Sequence, residues 1–582
     1  RFFFRYQCGF MYWRYFMWKF AGRQNDIQGN GNPMYGNWIS GNNFIDDLRL
    51  GDQDDLPEDL LSNLGRNRYY CIPLILGILG LIWQYKKDNK GFILVLTFFI
   101  MTGLAIIVFL NQYPNQPRER DYAYAGSFYA YAIWIGLGLM SVYELVSKYI
   151  KNKKVAAIAV STILLAACPI LMAKENWDDH DRSNRYTAKA VGSNYLNSVD
   201  KDAILFSYGD NDSFPLWYAQ EVEGIRTDVK VANLSYFQAG WYIKVMRQQA
   251  YDSKPLPMSI ENEKYRDGTR DQLLINTTTD KAVGLKEAVR FAAQDDKKYM
   301  IEYSKGLFFN YIPSKILTID VDSALVVSNG IVKEYYKDRI VSPMVWNYDL
   351  SYVLKGNLGV MDLLATNEWK RPIYFTSTVP ANQYMGLEKY FVQEGLSYKI
   401  SPIKIDVKAG NTGMIDPFTM YDNMMNKFTW GNAEDPEVYL DENNRRIFCN
   451  FRNTFGELGL ALLEAGDTTK AIEVADKGMM LVPPEKMPYD YYMIGIAETY
   501  LRAGETEKGN ALVGTIVNYA KEYLNYLVSI DALNKYGLDL PKGINMQTVI
   551  DIYRMAHNLG LEDLEMATES IVNDYYYLLF AQ

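Results

Sequence analysis

Four apolar stretches in close succession, Tyr69–Tyr85, Phe92–Leu110, Tyr122–Ser147 and Val155–Ala173, constrain this chain more than anything else in it. A bilayer span takes about 20 apolar residues, with a lower bound near 17, and each stretch reaches that bound. Only the third carries a charge, Glu144 near its end. Short turns separate the stretches, so the segment reads as a pair of antiparallel hairpins of membrane helices. The mean hydropathy of −0.19 conceals this, because the rest of the 582 residues are polar.

Lysine in the short loops sets the expected orientation. Lys86, Lys87 and Lys90 lie in one turn and Lys148, Lys151, Lys153 and Lys154 in another on the same side. That side is expected to be cytoplasmic. Residues 174–582 and 22–68 then lie outside, which places a bacterial chain in the inner membrane with its soluble part in the periplasm. The chain opens without Met and without a signal-peptide pattern, and reads as a segment of a longer protein.

The first twenty residues, RFFFRYQCGFMYWRYFMWKF, mix aromatic rings with Arg1, Arg5, Arg14 and Lys19. Such rings and snorkelling cations favour the headgroup layer. They read as an interfacial helix, or as the end of an upstream span.

A net charge of −9 argues against nucleic acid, which needs a basic face. Four scattered cysteines make no disulfide framework, and two histidines exclude a multi-histidine metal site.

Beyond the membrane segment, Ala203–Tyr208 reads as a buried strand, Phe214–Val222 as helix and Val229–Leu234 as a second strand, a βαβ unit that predicts a parallel sheet. Asn357–Ala365 reads as helix and Pro372–Thr376 as strand, while Ser253–Val341 gives mixed signals. From Asn450 the pattern is helical. Leu462–Asp467 (LLEAGD) resembles Tyr500–Glu505 (YLRAGE), close to a tetratricopeptide period. The expected architecture is multidomain: residues 1–68 as interfacial helix and outer loop, 69–173 as four membrane helices, 174–449 as an extracytoplasmic α/β domain, and 450–582 as tetratricopeptide-like helical repeats. Those repeats offer a concave face for a protein partner or for the chain's own α/β domain.

Three polar clusters are candidates for chemistry. In Pro117–Asp121, Arg118 and Arg120 suit an anionic lipid headgroup, with Glu119 and Asp121 orienting them; solvated loop charge is the plainer account. In Trp177–Arg182, at most Asp178 and Asp181, or Asp179 with a distant partner, share a face to hold one ion, and an exposed hinge between membrane and soluble domain is the plainer account. Asp210 and Asp212 sit where the first strand ends, the usual ligand end of such a sheet. Carboxylates there suit a divalent cation or sugar hydroxyls, and helix capping is the rival. No metal site is assigned.

Longer blocks carry a resemblance: Met11–Gly29, PRERDYAYAGSFYAYAIWIGLG at Pro117–Gly138, WDDHDRSNR at Trp177–Arg185, Leu205–Ser235 and WKRPIYFTSTV at Trp369–Val379. Together they resemble a membrane family abundant in Bacteroidota and related to the vertebrate transmembrane protein O-mannosyltransferase. The resemblance implies a GT-C-type glycosyltransferase with a polyprenyl-phosphate sugar as donor and Ser or Thr of exported protein as acceptor, on the outer face. It also implies a catalytic carboxylate in a first outer loop, which no residue here matches. Chemistry and topology make Arg118 and Arg120 the leading donor-phosphate candidates, with Arg14 and Arg23 weaker. The rival reading is a non-catalytic envelope scaffold that docks a secretion or polysaccharide-assembly partner. Asp322-Ser323-Ala324 and Asp467-Thr468-Thr469 resemble short O-glycosylation acceptors. Thr468, in an expected turn, should be more accessible than Ser323, expected between two strands.

Overall fold

Gly80 and Gly138 let two helices touch backbone to backbone. In the computed structural model, which describes residues 2–29, 31–114, 119–276, 281–406, 412–531 and 537–580, helix Ile72–Lys87 packs along helix Ala125–Val146. A Cβ on Gly80 would lie 1.8 Å from the Trp134 carbonyl oxygen, and one on Gly138 2.2 Å from that of Leu76. Small residues at such crossings replace the hydrophobic drive that lipid removes. Tyr131 Oη donates to the Leu74 carbonyl (2.7 Å) and Trp134 Nε1 to Gln84 Oε1 (2.8 Å), satisfying polar groups inside the bundle.

Among the described residues three helices, rather than the four expected, are long and apolar enough to cross a membrane: Asn89–Leu110, Asp121–Val146 and Lys153–His180. Ile72–Lys87 has 16 residues. At 1.5 Å per residue it rises about 24 Å, short of a core about 30 Å thick. Lys87 Nζ lies 3.2 Å from Glu144 Oε1, so the two lysine-bearing turns share one end of the bundle, as expected. The aromatic N-terminal segment is helical from Phe3 to Phe20, with a π-helical first part. It packs against the apolar helices. Phe16, Met17 and Phe20 are buried in one cluster with Val95, Ala130, Tyr131 and Trp134.

The chain divides into two units. The first comprises Arg1–Ser183, Asp435–Phe451 and Val482–Gln582, and holds the apolar helices. Its segment 22–68 is pinned by buried amides. Asn25 Nδ2 donates to the Met34 carbonyl (2.8 Å), while Asn25 Oδ1 accepts from Gly36 N (2.8 Å). Met34, Leu56 and Leu60 are buried with Leu524, Leu527 and Ile530 of helix Thr506–Asp531.

The second unit, Asn184–Glu434 with Arg452–Leu481, is built on a six-stranded sheet. Its strands are β1 (Ile204–Ser207), β2 (Lys230–Asn233), β3 (Ile373–Thr376), β4 (Phe391–Gln393), β5 (Ser397–Ile400) and β6 (Met414–Ile415), in the order β6-β4-β5-β3-β1-β2. β1 is parallel to both β2 and β3, with Leu205 opposite Val231 and Tyr374, which establishes the predicted βαβ unit. Every residue of β1, β2 and β3 is buried, which is why they read as continuous rather than alternating runs. Helix Lys355–Asn367 is buried along nearly its whole length. The stretch that gave mixed signals supplies most strands of two small sheets, each completed by a strand beyond Val341. One orders Met344–Asn347, Ile316–Ile319 and Val283–Gly284; the other orders Val353–Leu354, Gln272–Ile275, Leu307–Ile312 and Met300–Ser304.

The C-terminal region is helical: Glu442–Glu464, Thr468–Met480, Ile494–Ala503, Thr506–Asp531, Asp539–Leu559 and Glu562–Leu579. Both echoed glycines, Gly466 (φ +83°) and Gly504 (φ +89°), reverse the chain in the left-handed conformation that glycine adopts without strain. The echo therefore marks a shared helix-turn-helix junction; a tetratricopeptide repeat is not established by it.

Candidate functional site at the charged ends of the apolar helices

At the bundle end opposite the lysine turns, the first unit gathers three ion pairs. Arg14 Nη2 lies 2.5 Å from Glu119 Oε2, Lys19 Nζ lies 3.5 Å from Asp121 Oδ2, and Arg23 pairs with Asp179. The two acids expected to orient Arg118 and Arg120 thus face two cations of the N-terminal helix, Arg14 and Lys19. Arg118 lies outside the described residues. Arg120 is exposed.

Each cation has a different reserve. The Arg14 side chain is 5% exposed. Its guanidinium also donates to the carbonyls of Gly36 (2.7 Å) and Phe10 (3.1 Å) and stacks 3.9 Å from the Phe10 ring centroid. Arginine's planar fork suits such multiple binding, and it leaves Arg14 a structural tie between the N-terminal helix and segment 22–68. Arg23 Nε donates to the Gly65 carbonyl (2.7 Å) while the guanidinium meets Asp179. Lys19 is different: 43% exposed and only loosely paired, it keeps most of its ammonium for another anion.

Lys19 and Arg23 line a cavity of about 440 Å³ with Trp18, Phe128, Asn176 and His180. His180 Nδ1 lies 2.7 Å from Asp179 Oδ1 and 3.0 Å from the Asn176 carbonyl oxygen. Asn176 Oδ1 accepts from Tyr69 Oη (2.8 Å). Aromatic rings and cations line the cavity together, with the Arg23 guanidinium 5.6 Å from the Trp18 ring centroid, a combination that suits an amphipathic ligand with an anionic head. Sequence reasoning named Arg23 and allowed Asp179 a distant partner in holding an ion; Asp179 pairs with Arg23 instead. It missed Lys19 and His180; a cation at the end of an aromatic run was the available signal for Lys19.

Asp178 and Asp181 are exposed and do not converge. Asp178 Oδ1 accepts from Asp179 N (2.8 Å) and Asp181 Oδ1 from Ser183 N (2.7 Å), so both serve the local turn. Among the described residues no group of three His, Cys, Asp or Glu side chains is arranged to hold a metal ion.

In the second unit, Asp210 and Asp212 occupy the first turn of helix Asp210–Glu221, at the carboxyl end of β1. The N-cap residue is Gly209, and neither aspartate caps the helix through its side chain. Asp210 Oδ1 accepts from Tyr236 Oη and Asp212 Oδ2 from Thr378 Oγ1, each at 2.6 Å. Burial pushes the Asp212 carboxyl above its ordinary range, only partly offset by that bond. Ser213, one residue on, meets Ser207 Oγ (2.7 Å) and Asn233 Nδ2 (2.9 Å). The result is a polar patch across the ends of β1, β2 and β3, where α/β sheets hold ligands.

The two proposed modification residues are both exposed, each at the first position of a helix after a capping aspartate. Ser323 begins helix Ser323–Ser328, where a strand was expected, because Asp322 accepts from Ala324 N and Leu325 N. Accessibility therefore does not separate Ser323 from Thr468.

Fold and site define a membrane protein that carries an α/β domain and a helical C-terminal region. Residues 188–418 match the family model described as TMEM260-associated domain 2, and the chain is related to that family. It is 21% identical over 260 residues to a protein described as protein O-mannosyl-transferase tmem260 from Dictyostelium discoideum, covering 41% of this chain and 32% of that relative. The match thus spans about a third of the relative's length. No solved structure matches significantly.

Proposed function

We propose that this chain is the C-terminal part of an integral membrane glycosyltransferase of GT-C type, which moves a sugar from polyprenyl phosphate to Ser or Thr of exported proteins on the outer face of the membrane. The observation that supports it best is the cavity of Lys19, Arg23 and His180 at the end of the apolar helices opposite the lysine turns. Transfer from such a donor needs little covalent help. Cations must balance the charge growing on the departing phosphate, and a carboxylate must accept the acceptor's proton. Lys19, exposed and only loosely paired with Asp121, supplies a cation, Arg120 lies beside Asp121 in the chain, and the aromatic lining suits isoprenoid. The carboxylate here is the one that the family resemblance assigns to a first outer loop. In this scheme the α/β domain lies in the periplasm and presents the acceptor, Asp210 and Asp212 take sugar hydroxyls or a divalent cation, and the C-terminal helices dock a protein partner in a tetratricopeptide-like manner.

The test is binding of polyprenyl-phosphate mannose to the full chain in nanodiscs, with Lys19→Ala, Arg120→Ala and the double variant. Each charge-assisted contact contributes about 1.5–3 kcal/mol, roughly ten- to hundredfold in affinity. Donor binding that survives the double variant undiminished, in protein of unchanged fold, would remove this cavity from the transfer site and favour the scaffold reading.

A further inference from the structure

The second unit buries an ion cluster that its fold does not require. Lys399 on β5 is fully buried, and its ammonium lies 2.5 Å from Asp200 Oδ2, 3.2 Å from Glu394 Oε1 and 2.8 Å from the Gly330 carbonyl oxygen. Tyr374 Oη on β3 donates to Glu394 Oε2 (2.6 Å). Replacing such buried ions with apolar side chains is often neutral or stabilising, so the cluster calls for another reason to exist.

Asp200 supplies one. Its Oδ2 is held from behind by Lys399 and Tyr374, its Oδ1 lies 3.4 Å from Lys333, and the side chain remains 32% exposed. That exposure is to a cavity of about 350 Å³, near the lower end of the ~300–1,000 Å³ typical of small-ligand sites. Across the cavity Lys427 Nζ pairs with Asp422 Oδ2 (2.7 Å) and with Asn423 Oδ1 (2.8 Å). Phe418 and Tyr335, both substantially exposed, stand with ring centroids 5.9 Å apart. Tyr335 is fixed by donating to Asp416 Oδ2 (2.5 Å).

The chemistry of the wall selects the ligand. Asp200 and Asp422 balance Lys333 and Lys427, so neither an anion nor a cation gains net attraction. A wholly apolar ligand would strip water from four charges. A neutral polyol can donate to the carboxylates and accept from the ammonium groups, and a pyranose also offers an apolar C–H face to Phe418. We infer that this cavity is a binding site for an uncharged pyranose residue of a glycan. It adjoins Asp200, ahead of β1, and is thus distinct from the Asp210–Asp212 patch after β1. It stands independently of the transfer chemistry proposed above.

The test uses the full chain in nanodiscs and four probes: the methyl pyranosides of mannose, glucose, galactose and N-acetylglucosamine. Saturation-transfer NMR and calorimetric titration read binding to the wild type, Phe418→Ala and Asp422→Asn. At least one pyranoside should bind, and its affinity should fall about tenfold or more in either variant while the near-UV circular dichroism is unchanged. Should Asp422→Asn perturb that spectrum, Lys427→Gln takes its place. Absence of binding by all four probes, undiminished binding in both variants, or competition by inorganic phosphate would overturn the inference.

Discussion

Arg14 and Glu119 meet at 2.5 Å with both side chains largely shielded from solvent, and through them the N-terminal helix is tied to the loop that precedes helix Asp121–Val146. Removing one partner of a buried pair leaves the other charge uncompensated, at a cost of about 3–5 kcal/mol. Arg14→Met is expected to destabilise the protein by that order. Arg14→Lys should recover only part, because a lysine cannot also reach the Gly36 and Phe10 carbonyls. Thermal unfolding in detergent measures both.

Gly80→Leu should prevent close packing of helices Ile72–Lys87 and Ala125–Val146, since even a Cβ collides with the Trp134 carbonyl. The expected outcome is loss of the folded bundle, read as protease sensitivity in membranes. Leu81→Ala, on a neighbouring position that is only partly buried, serves as the tolerated control.

Lys399→Met leaves Glu394 and Asp200 only the more distant Lys333, at 3.9 and 3.4 Å, and is expected to cost about 3–5 kcal/mol. Denaturant titration of the two proteins gives the difference directly.

The same cluster predicts a pH dependence. Burial alone would raise the Asp200 carboxyl, yet Lys399 and Lys333 hold it down at about 2, against an ordinary 3.8. A depressed acid contributes stability above its unfolded value and loses it as pH falls through the folded one. Between about pH 4 and pH 2 the loss is expected to be on the order of 1–2 kcal/mol, discounted for partial exposure. Burial pushes Glu394 the other way, so its contribution declines as pH rises above 4.5. Stability against pH in wild type and Lys399→Met separates the two, because the acid loss from Asp200 should shrink in the variant.

Topology is open to direct measurement. A reporter fused after Tyr149 should read as cytoplasmic and one after Asn184 as periplasmic. The reverse at either point would remove the outer-face reading.

What the sequence determined by itself is local and periodic. Runs such as Phe92–Leu110 can be satisfied only by helix in an apolar setting. The strand-helix-strand order of Ala203–Tyr208, Phe214–Val222 and Val229–Leu234 predicted a parallel sheet, and Ile204–Ser207 pairs in parallel with Lys230–Asn233. Asp210 and Asp212 were placed correctly at a strand end, since chain order alone fixes which residues follow a strand. The long blocks around Leu205–Ser235 and Trp369–Val379 carried the family relation. Tertiary structure decided the rest. Whether Glu119 serves Arg120 or Arg14, and Asp179 a metal or Arg23, depends on which helix ends meet, and no local spacing encodes that. Ser323 reads as lying between two strands until the Asp322 side chain is seen to satisfy two backbone donors of a helix. The Asp200–Lys399 contact joins residues 199 apart, and a lone buried lysine among apolar neighbours gives no sign of its partner. Ion pairs of this kind are chosen by packing, because only folding brings together charges that neither helix nor strand periodicity relates.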